Sequence, residues 1–246
     1  MTKVTALWRH PIKSHGREAL DRVMLTQGQS MPYDRLWAVA HEEAEVGSGD
    51  WMGCQNFSRG AKTASLMAIT ARLDETTETI TLHHPDRADL TINPDAAPDA
   101  LLDWVRPLVA ENRAQPASVL RLDGRSFTDT PFASVSLCNT ASHSAVEVLA
   151  QTPLQQERWR GNIWFEGASA WAEFNWIGRE VKLGTAYLKI EERITRCLAT
   201  TANTDTGVRD VDTLKALNIL KHQEFGIYAS VIQSGEVAVG DELELV

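Results

Sequence analysis

Short runs in which apolar and polar residues alternate dominate the chain and predict a mostly β protein. Successive side chains of a strand point to opposite faces, so a period of two indicates a strand with one buried face. Gly, Pro, Asn and Asp separate most of these runs, which is typical of barrels and sandwiches. The predicted strands are VTALWR, LWAVAH, LMAITARL, TITLH, DLTI, SVLRL, NIWF, EVKLG, AYLKIEERI, FGIYASVI and DELELV.

Four segments instead favour helices, and three of them have an Asn or Asp available as a cap for the first turn. They are APDALLDWVRPLVAE after Asp95, TASHSAVEVLAQ after Asn139, PLQQERW, and VDTLKALNIL after Asp210. The stretch NPDAAPD, rich in proline and aspartate, marks the expected seam between two units. We therefore predict an α+β protein, mostly β with a few peripheral helices, divided into residues 1–95 and 96–246.

Composition narrows the possible classes of function. The chain has 246 residues, 43% of them hydrophobic, which suffices for a sizeable core. Neither a membrane-length apolar run nor a signal-like start is present, so we expect a cytoplasmic protein without a membrane partner. The three cysteines are few, odd in number and far apart, which argues against a disulfide framework. A formal charge of −9 argues against nucleic-acid binding through a broad basic face.

The segment RITRCLATTANTDTG places a cysteine, Cys197, where a predicted strand ends in a polar loop. It could be a small buried residue at a strand end. However, threonines, an asparagine and an aspartate follow it, and Arg196 precedes it. A neighbouring cation favours thiolate, the form that attacks electrophiles or binds soft metals. Cys54 and Cys138 lack such neighbours in sequence, and we expect them to be structural.

Two segments of the first half carry candidate anion ligands. In HPIKSHG, Lys13 and Ser14 follow a strand and precede a glycine, an arrangement that suits either an anion site or a solvated loop. In YDRLWAV, Arg35 precedes an apolar strand and by itself indicates only an arginine at a strand edge.

A third segment, ERWRGNIWF, carries two arginines. Arg158 and Arg160 alternate with a tryptophan just before Asn162 and a buried-looking strand. Guanidinium groups bind phosphate bidentately, and an asparagine amide can donate and accept beside them. The same arginines could instead be cations that interact with the dipole at a helix end. If these cations hold one phosphate, as the resemblance described next implies, several donors must converge on it, and we then expect Lys13, Arg158 and Arg160 to line one cleft with Cys197.

The order of these segments resembles the MOSC family, named for the C-terminal domain of molybdenum cofactor sulfurase. PIKS, YDRLW, RxRxNI, AEFNW and TRCLATTANTDTG follow one another along nearly the whole chain. The branch that it resembles most has an N-terminal β-barrel and includes the mitochondrial amidoxime-reducing component and bacterial relatives. The element RC-x-x-TT-x-x-x-DTG is fairly specific, whereas PIKS alone would be weak.

This resemblance implies a MOSC β-barrel packed with an N-terminal barrel-like β domain, and a molybdenum cofactor (molybdenum-pyranopterin). Cys197 would be the thiolate ligand of the metal, and Glu173 would be a second catalytic residue. The residues that would hold the pterin and its phosphate are Lys13, Ser14, Arg35, Arg158, Arg160 and Asn162, with Ser142 and Arg196 as further contacts.

The resemblance also implies a reductase of N-hydroxylated compounds such as amidoximes, hydroxylamines and N-hydroxylated bases. No ferredoxin domain follows DELELV, so electrons are expected from a separate protein, a ferredoxin, flavoprotein or haem protein. Two alternatives stay open: sulfur transfer by a persulfide on Cys197, and a carrier of the molybdenum cofactor.

Three departures from the family pattern bear on the site. Ser169 stands where the amidoxime-reducing branch has an aspartate, and His15 stands where many relatives have a cysteine. The segment WMGCQNFSRGAKTASL is only a loose match to the TQR-like segment of the family.

Overall fold

The computed structural model describes residues 1–47 and 50–246, and these contain fifteen strands and three α-helices. The strands are β1 (Thr2–Arg9), β2 (Glu18–Leu20), β3 (Arg22–Leu25), β4 (Trp37–His41), β5 (Thr70–Asp74), β6 (Thr79–His84), β7 (Arg87–Ile92), β8 (Pro116–Arg121), β9 (Val135–Asn139), β10 (Ile163–Glu166), β11 (Glu180–Leu183), β12 (Ala186–Thr195), β13 (Glu224–Gln233), β14 (Gly235–Ala238) and β15 (Glu242–Leu245). The helices are α1 (Pro98–Val105), α2 (Thr140–Ala150) and α3 (Thr213–Ile219). Short 3-10 helices cover Cys54–Asn56, Ala64–Ala68, Arg106–Leu108, Gln156–Trp159, Ala172–Trp176 and Leu198–Thr201.

Seven strands close into a barrel in the order β10, β9, β13, β12, β11, β15 and β1, and β1 pairs back onto β10. Closure removes the unpaired sheet edges that would otherwise invite aggregation. The interior is filled by apolar side chains from every part of the ring, including Val4, Leu137, Leu188 and Ile227. The predicted fold class, mostly β with a MOSC-type barrel and few helices, is confirmed.

One connection within the barrel is parallel. β9 and β10 run in the same direction, with Leu137 opposite Ile163, and α2 lies in the crossover between them. Parallel neighbours need such a long crossover because a hairpin can join only antiparallel strands. Asn139 ends β9 and caps α2 as expected, since its side chain accepts a hydrogen bond from Ala141 N.

The first half of the chain forms a second β-rich unit with its own core. β5, β6 and β7 form an antiparallel meander, and β4 pairs with β8. Trp37, Leu66 and Leu82 pack with Leu101 and Val105 of α1 in one buried cluster. β1, however, belongs to the other unit, because it pairs with both β10 and β15.

Most predicted elements are present, with particular exceptions. Each predicted strand overlaps an observed one, but LMAITARL begins with a 3-10 turn at Ala64–Ala68, and β2, β3, β9 and β14 were not predicted. α1 begins at Pro98 without a side-chain cap, PLQQERW forms only the 3-10 helix Gln156–Trp159, and Asp212 rather than Asp210 caps α3. None of the helices in the described ranges combines the length and apolar character needed to cross a bilayer.

Candidate functional site

A cleft of about 360 Å³ lies where loops of the first unit meet the barrel. Six of the predicted cofactor-binding residues line it together with Cys197, so the expected convergence of Lys13, Arg158, Arg160 and Cys197 is confirmed. Those six are Lys13, Ser14, Arg35, Arg158, Arg160 and Arg196. Five of these six residues are cationic, and Arg59 and Arg193 bring the number of cationic side chains in the cleft to seven. The carboxylates that line it are those of Asp129 and Glu192. This local excess suits an anionic ligand although the whole chain is acidic.

Three residues of the cleft have left-handed backbone conformations. The φ angles are 63° at Ser14, 55° at Arg35 and 48° at Arg160. Such angles are uncommon outside glycine and store strain, which proteins concentrate at functional sites. Ser14 and Arg35 lie in turns, and Arg160 directly follows the 3-10 helix Gln156–Trp159. These backbone conformations therefore combine local strain with side chains that line the cleft.

Lys13 is buried and already has two acceptors. Its Nζ donates to Phe127 O at 2.7 Å and to Asp129 Oδ1 at 2.5 Å. The Asp129 side chain is 54% exposed but crowded by the cleft walls, which would raise its pKa; the charges of Lys13, Arg35 and Arg160 outweigh this effect and hold that pKa below its ordinary value. Asp129 is thus an ionised carboxylate among cations. An anion entering the cleft would have to share Lys13 with it.

Behind the cleft, the Asp34 carboxylate holds Arg35 in place. Asp34 is fully buried, accepts from His10 N at 2.8 Å and from His10 Nδ1 at 3.1 Å, and pairs with Arg35 Nη1. Burial opposes its charge, but Arg35 and these hydrogen bonds hold its pKa below the ordinary range. The second Nη of Arg35 donates to Arg160 O at 2.9 Å. Asp34 therefore fixes Arg35, and Arg35 in turn binds the backbone of Arg160.

Arg160 has a donor that the protein does not satisfy. Its Nη1 donates to Gly16 O at 3.2 Å, whereas its Nη2 is buried and has no hydrogen-bond partner among the described residues. Burial, with the charge of Arg35 next, lowers the pKa of this guanidinium. Buried donors without partners are rare in folded proteins and call for an explanation such as an absent ligand or water. Arg160 is therefore the donor best placed to receive an anion.

Arg158 and Arg196 are largely occupied within the protein. Arg158 binds both oxygens of Asp210, at 2.6 and 2.7 Å. Arg196 donates to Phe225 O and Trp159 O, at 2.8 and 2.6 Å. Both line the cleft, but their bonds also fix the loops that form its wall. They contribute positive charge more than free donors.

Two of the three cysteines line the cleft. Cys197 is exposed and directly precedes the 3-10 helix Leu198–Thr201, whose Thr200 donates to Cys197 O. Cys54 is half-buried, and Arg59 Nη1 contacts its sulfur at 2.9 Å. Cys54 thus has a cationic neighbour in the fold, because the loop brings Arg59 back onto it, and the expectation that Cys54 is structural stays a prediction. Cys138 is buried, as expected, and burial raises its pKa to about 11.

Three predicted residues do not line the cleft. Asn162 lies behind its wall and bonds through its side chain to Ser136, a lining residue, and to Trp8 O. Glu173 and Ser142 are fully buried and bond to each other at 2.7 Å. Their predicted roles as catalytic residue and cofactor contact stay predictions, and this geometry gives them no contact with a ligand in the cleft.

Several lining residues were not singled out from the sequence. These are Cys54, Arg59, Asp129, Ser136, Tyr228, Glu192 and Arg193. The loose match of WMGCQNFSRG to a family segment was a signal for the first two. The others stand in ordinary strand or loop contexts, where residue type alone carries no signal. Ser169 is exposed and does not line the cleft.

The fold is thus a closed β-barrel, and the candidate site is a cation-lined cleft that presents an exposed cysteine. The sequence matches the family models of the MOSC N-terminal beta barrel domain over residues 1–123 and of the MOSC domain over residues 124–244. The chain therefore belongs to the MOSC family. These models meet between residues 123 and 124, and our division after residue 95 stays a prediction.

Several known proteins are similar to this chain at modest sequence identity. Mitochondrial amidoxime-reducing component 1 of Mus musculus is 24% identical over a match that covers 98% of this chain and 82% of that protein. Mitochondrial amidoxime reducing component 2 of Homo sapiens is 35% identical over 101 residues, which cover 36% of this chain and 30% of that protein. Among solved structures, the YUAD protein from Bacillus subtilis is 13% identical with a TM-score of 0.48, covering 100% of this chain and 96% of that one.

Proposed function

We propose that this protein is a molybdenum-cofactor-dependent reductase of N-hydroxylated compounds that receives electrons from a separate protein. The observation that carries the proposal is the cation-lined cleft that presents Cys197. In the overall reaction, an N-hydroxylated compound takes two electrons and two protons and yields the amine or amidine and water. The names of the amidoxime-reducing relatives support this substrate class.

The residues of the cleft fit an anionic, sulfur-rich cofactor. The buried Nη2 of Arg160 lacks a partner among the described residues, and Lys13 and Arg35 lie in the same cleft, so a phosphate would find converging donors there. The Cys197 sulfur is exposed and would supply the soft ligand that a molybdenum ion accepts. When bound, the cofactor would supply two-electron chemistry at a metal that accepts oxygen.

The chain itself contributes orientation and hydrogen bonding. Burial, and next the nearby Asp129 carboxylate, raise the pKa of Tyr228, which lines the cleft. Tyr228 therefore stays protonated near neutral pH and can donate a hydrogen bond to an oxygen in the cleft. The wall formed by Arg158 and Arg196 is fixed by internal bonds, which helps to hold a bound ligand in one geometry.

The first test measures cofactor content. Protein produced in a host that makes the cofactor should contain molybdenum and pterin in similar amounts, measured by elemental mass spectrometry and pterin fluorescence. Arg160→Gln should lose most of the pterin, because the unsatisfied donor is removed. Arg22→Gln is the matched control, since Arg22 is 69% exposed and pairs only with Glu236 among the described residues. Equal pterin in both variants would refute the assignment of Arg160.

The second test measures turnover with a chemical reductant and benzamidoxime, followed as formation of benzamidine. Cys197→Ser should abolish turnover and retain part of the pterin, with little change in stability because the side chain is exposed. Cys138→Ser should keep turnover and lose stability, because it places a hydroxyl in an apolar cluster. Metal and pterin without turnover would favour a carrier. A persulfide on Cys197 without metal would favour sulfur transfer.

The expected cytoplasmic location and the type of electron donor, a ferredoxin, flavoprotein or haem protein, stay predictions. Titration of the loaded protein with each type of donor, followed by the rate of amidine formation, would identify the donor.

A further inference from the structure

Two irregularities in β12 aim consecutive side chains at the cleft. The pairing of β12 with β13 shifts register between Ile190 and Glu192, and again between Arg193 and Thr195. Bulges of this kind redirect side chains and are common beside active sites. As a result, Glu192 and Arg193 are both exposed and both line the cleft, although regular alternation would turn one of them away.

The guanidinium of Arg193 is stacked on an aromatic ring. Its central carbon lies 4.4 Å from the ring centroid of Phe174. The Phe174 ring packs in turn against Trp171 and His222, with centroids 5.5 Å away in both cases. Guanidinium is planar and stacks on aromatic faces, which an ammonium cannot do. The ring therefore lies against a planar cation that also lines the cleft.

A buried polar network fixes the segment that carries Phe174. Glu173 accepts from Ser142 Oγ at 2.7 Å and from Asn139 Nδ2 at 2.9 Å. Ser142 Oγ also accepts from Trp171 N at 2.8 Å, where Trp171 has a φ of 66°. A bulky residue in this conformation is strained and persists only where the surroundings hold it. Glu173 therefore holds the aromatic support of Arg193 without touching the cleft.

We propose that the Arg193–Phe174 stack is the specificity element of the cleft, on which flat, conjugated N-hydroxylated compounds lie, and that Glu173 is its positioning residue. The substrate class is then aryl amidoximes and N-hydroxylated heteroaromatic bases, in preference to saturated analogues. A flat π system can cover the open face of the guanidinium, whereas a puckered ring meets it only at a few atoms. This inference rests on the proposed reductase function.

The test compares benzamidoxime with cyclohexanecarboxamidoxime, which has the same reacting group and the same heavy atoms in a puckered ring. Without reductant no turnover occurs, so calorimetric titration gives the Kd of each compound directly. Arg193→Lys keeps the charge and loses the plane. It should raise the Kd of benzamidoxime about 2- to 5-fold, the range of exposed cation–π contacts, and leave that of the saturated compound unchanged. Arg22→Lys is the matched control and should change neither.

Kinetics with reductant separate specificity from chemistry. Arg193→Lys should raise KM for benzamidoxime and leave kcat nearly unchanged. Equal changes for both compounds, or no change for either, would overturn the proposed stack. If the wild type turns over neither compound, the reductase function fails, while the titrations without reductant still decide whether flat ligands prefer this stack.

A separate pair of variants tests the positioning role of Glu173. Glu173→Ala should reduce the preference for benzamidoxime, and Glu173→Gln should restore most of it, because an amide can still bond to Ser142 and Asn139. Loss of kcat for both compounds in Glu173→Gln would show a role in proton transfer and overturn the positioning role. Phe174→Leu removes the support directly and gives the same comparison if Glu173→Ala does not fold.

Discussion

Asp34 offers a sharp test of how the cleft is held together. Its buried carboxylate pairs with Arg35 and accepts two hydrogen bonds from His10. Asp34→Asn keeps the size and one acceptor but removes the charge and turns an amide N–H₂ toward a donor. Breaking a buried ion pair in this way costs about 3–5 kcal/mol, because the remaining charge is left without compensation. For a chain of this length each kcal/mol lowers Tm by about 2–4 °C, so we expect a loss of roughly 10 °C.

The control makes the same chemical change in an exposed pair. Asp103 pairs with Arg106 and is 73% exposed, so Asp103→Asn should cost less than about 1 kcal/mol. The measurement is calorimetric melting of both variants at pH 7. A Tm of Asp34→Asn within 2 °C (about 1 kcal/mol) of the wild type would refute our account of the buried pair.

A double variant tests the physical reason. If the cost of Asp34→Asn comes from an uncompensated guanidinium, then Asp34→Asn combined with Arg35→Gln should be more stable than Asp34→Asn alone. Additive losses would mean that the two residues stabilise the fold independently.

Three further predictions concern thiols, pH and glycines. Maleimide at pH 8 should label exposed Cys197 first and Cys138 only after unfolding, because Cys138 is buried and its pKa is raised to about 11. Peptide mass spectrometry measures both labelling rates, and equal rates would contradict this prediction. Burial lowers the pKa of His10 to about 3 and of His15 to about 4, so the unfolded chain takes up protons more readily as pH falls from about 6.5 to 4. Stability to urea should then fall by up to ~1.4 kcal/mol per pH unit for each histidine, and His15→Gln must flatten the slope. Gly16→Ala should lower the free energy of unfolding, measured in urea, by at least ~1 kcal/mol more than Gly28→Ala does. Both glycines have positive φ angles, but only at Gly16 would the new Cβ lie 2.7 Å from Ala71 Cβ. Equal losses would contradict this reasoning.

Local pattern found eleven of the fifteen strands, including β4 and β10, which are buried almost throughout, but it missed β2, β3, β9 and β14. β9 is buried along its whole length, so VSLCN shows no alternation to detect. β2 and β3 have only three and four residues, too few for a period to show. PLQQERW had helical spacing, but it forms a 3-10 turn that ends at the strained Arg160. Tertiary contacts decided each of these cases.

The convergence of the cleft residues came from the resemblance and not from spacing. Lys13 and Arg160 line the same cleft although they are far apart in the chain, and no local rule predicts this proximity. The partners of these cations could not be inferred either. Asp129 and Asp34 each sit in an ordinary polar stretch, and only the fold brings the first to Lys13 and the second to Arg35. A charged residue is easier to recognise from sequence than the charge that will face it.

The position of β1 has a consequence for how the protein can be made and divided. β1 closes the barrel between β10 and β15, so residues 2–9 complete a barrel whose other strands all follow β8 in the chain. Such pairing of distant segments is slow, because the chain loses the entropy of closing a long loop before the stabilising contacts form. A fragment that begins at residue 96 or 124 would lack this strand and expose two unpaired edges, which favours aggregation. The barrel therefore cannot close without residues 2–9, and these residues supplied as a separate peptide should rescue the solubility of such a fragment.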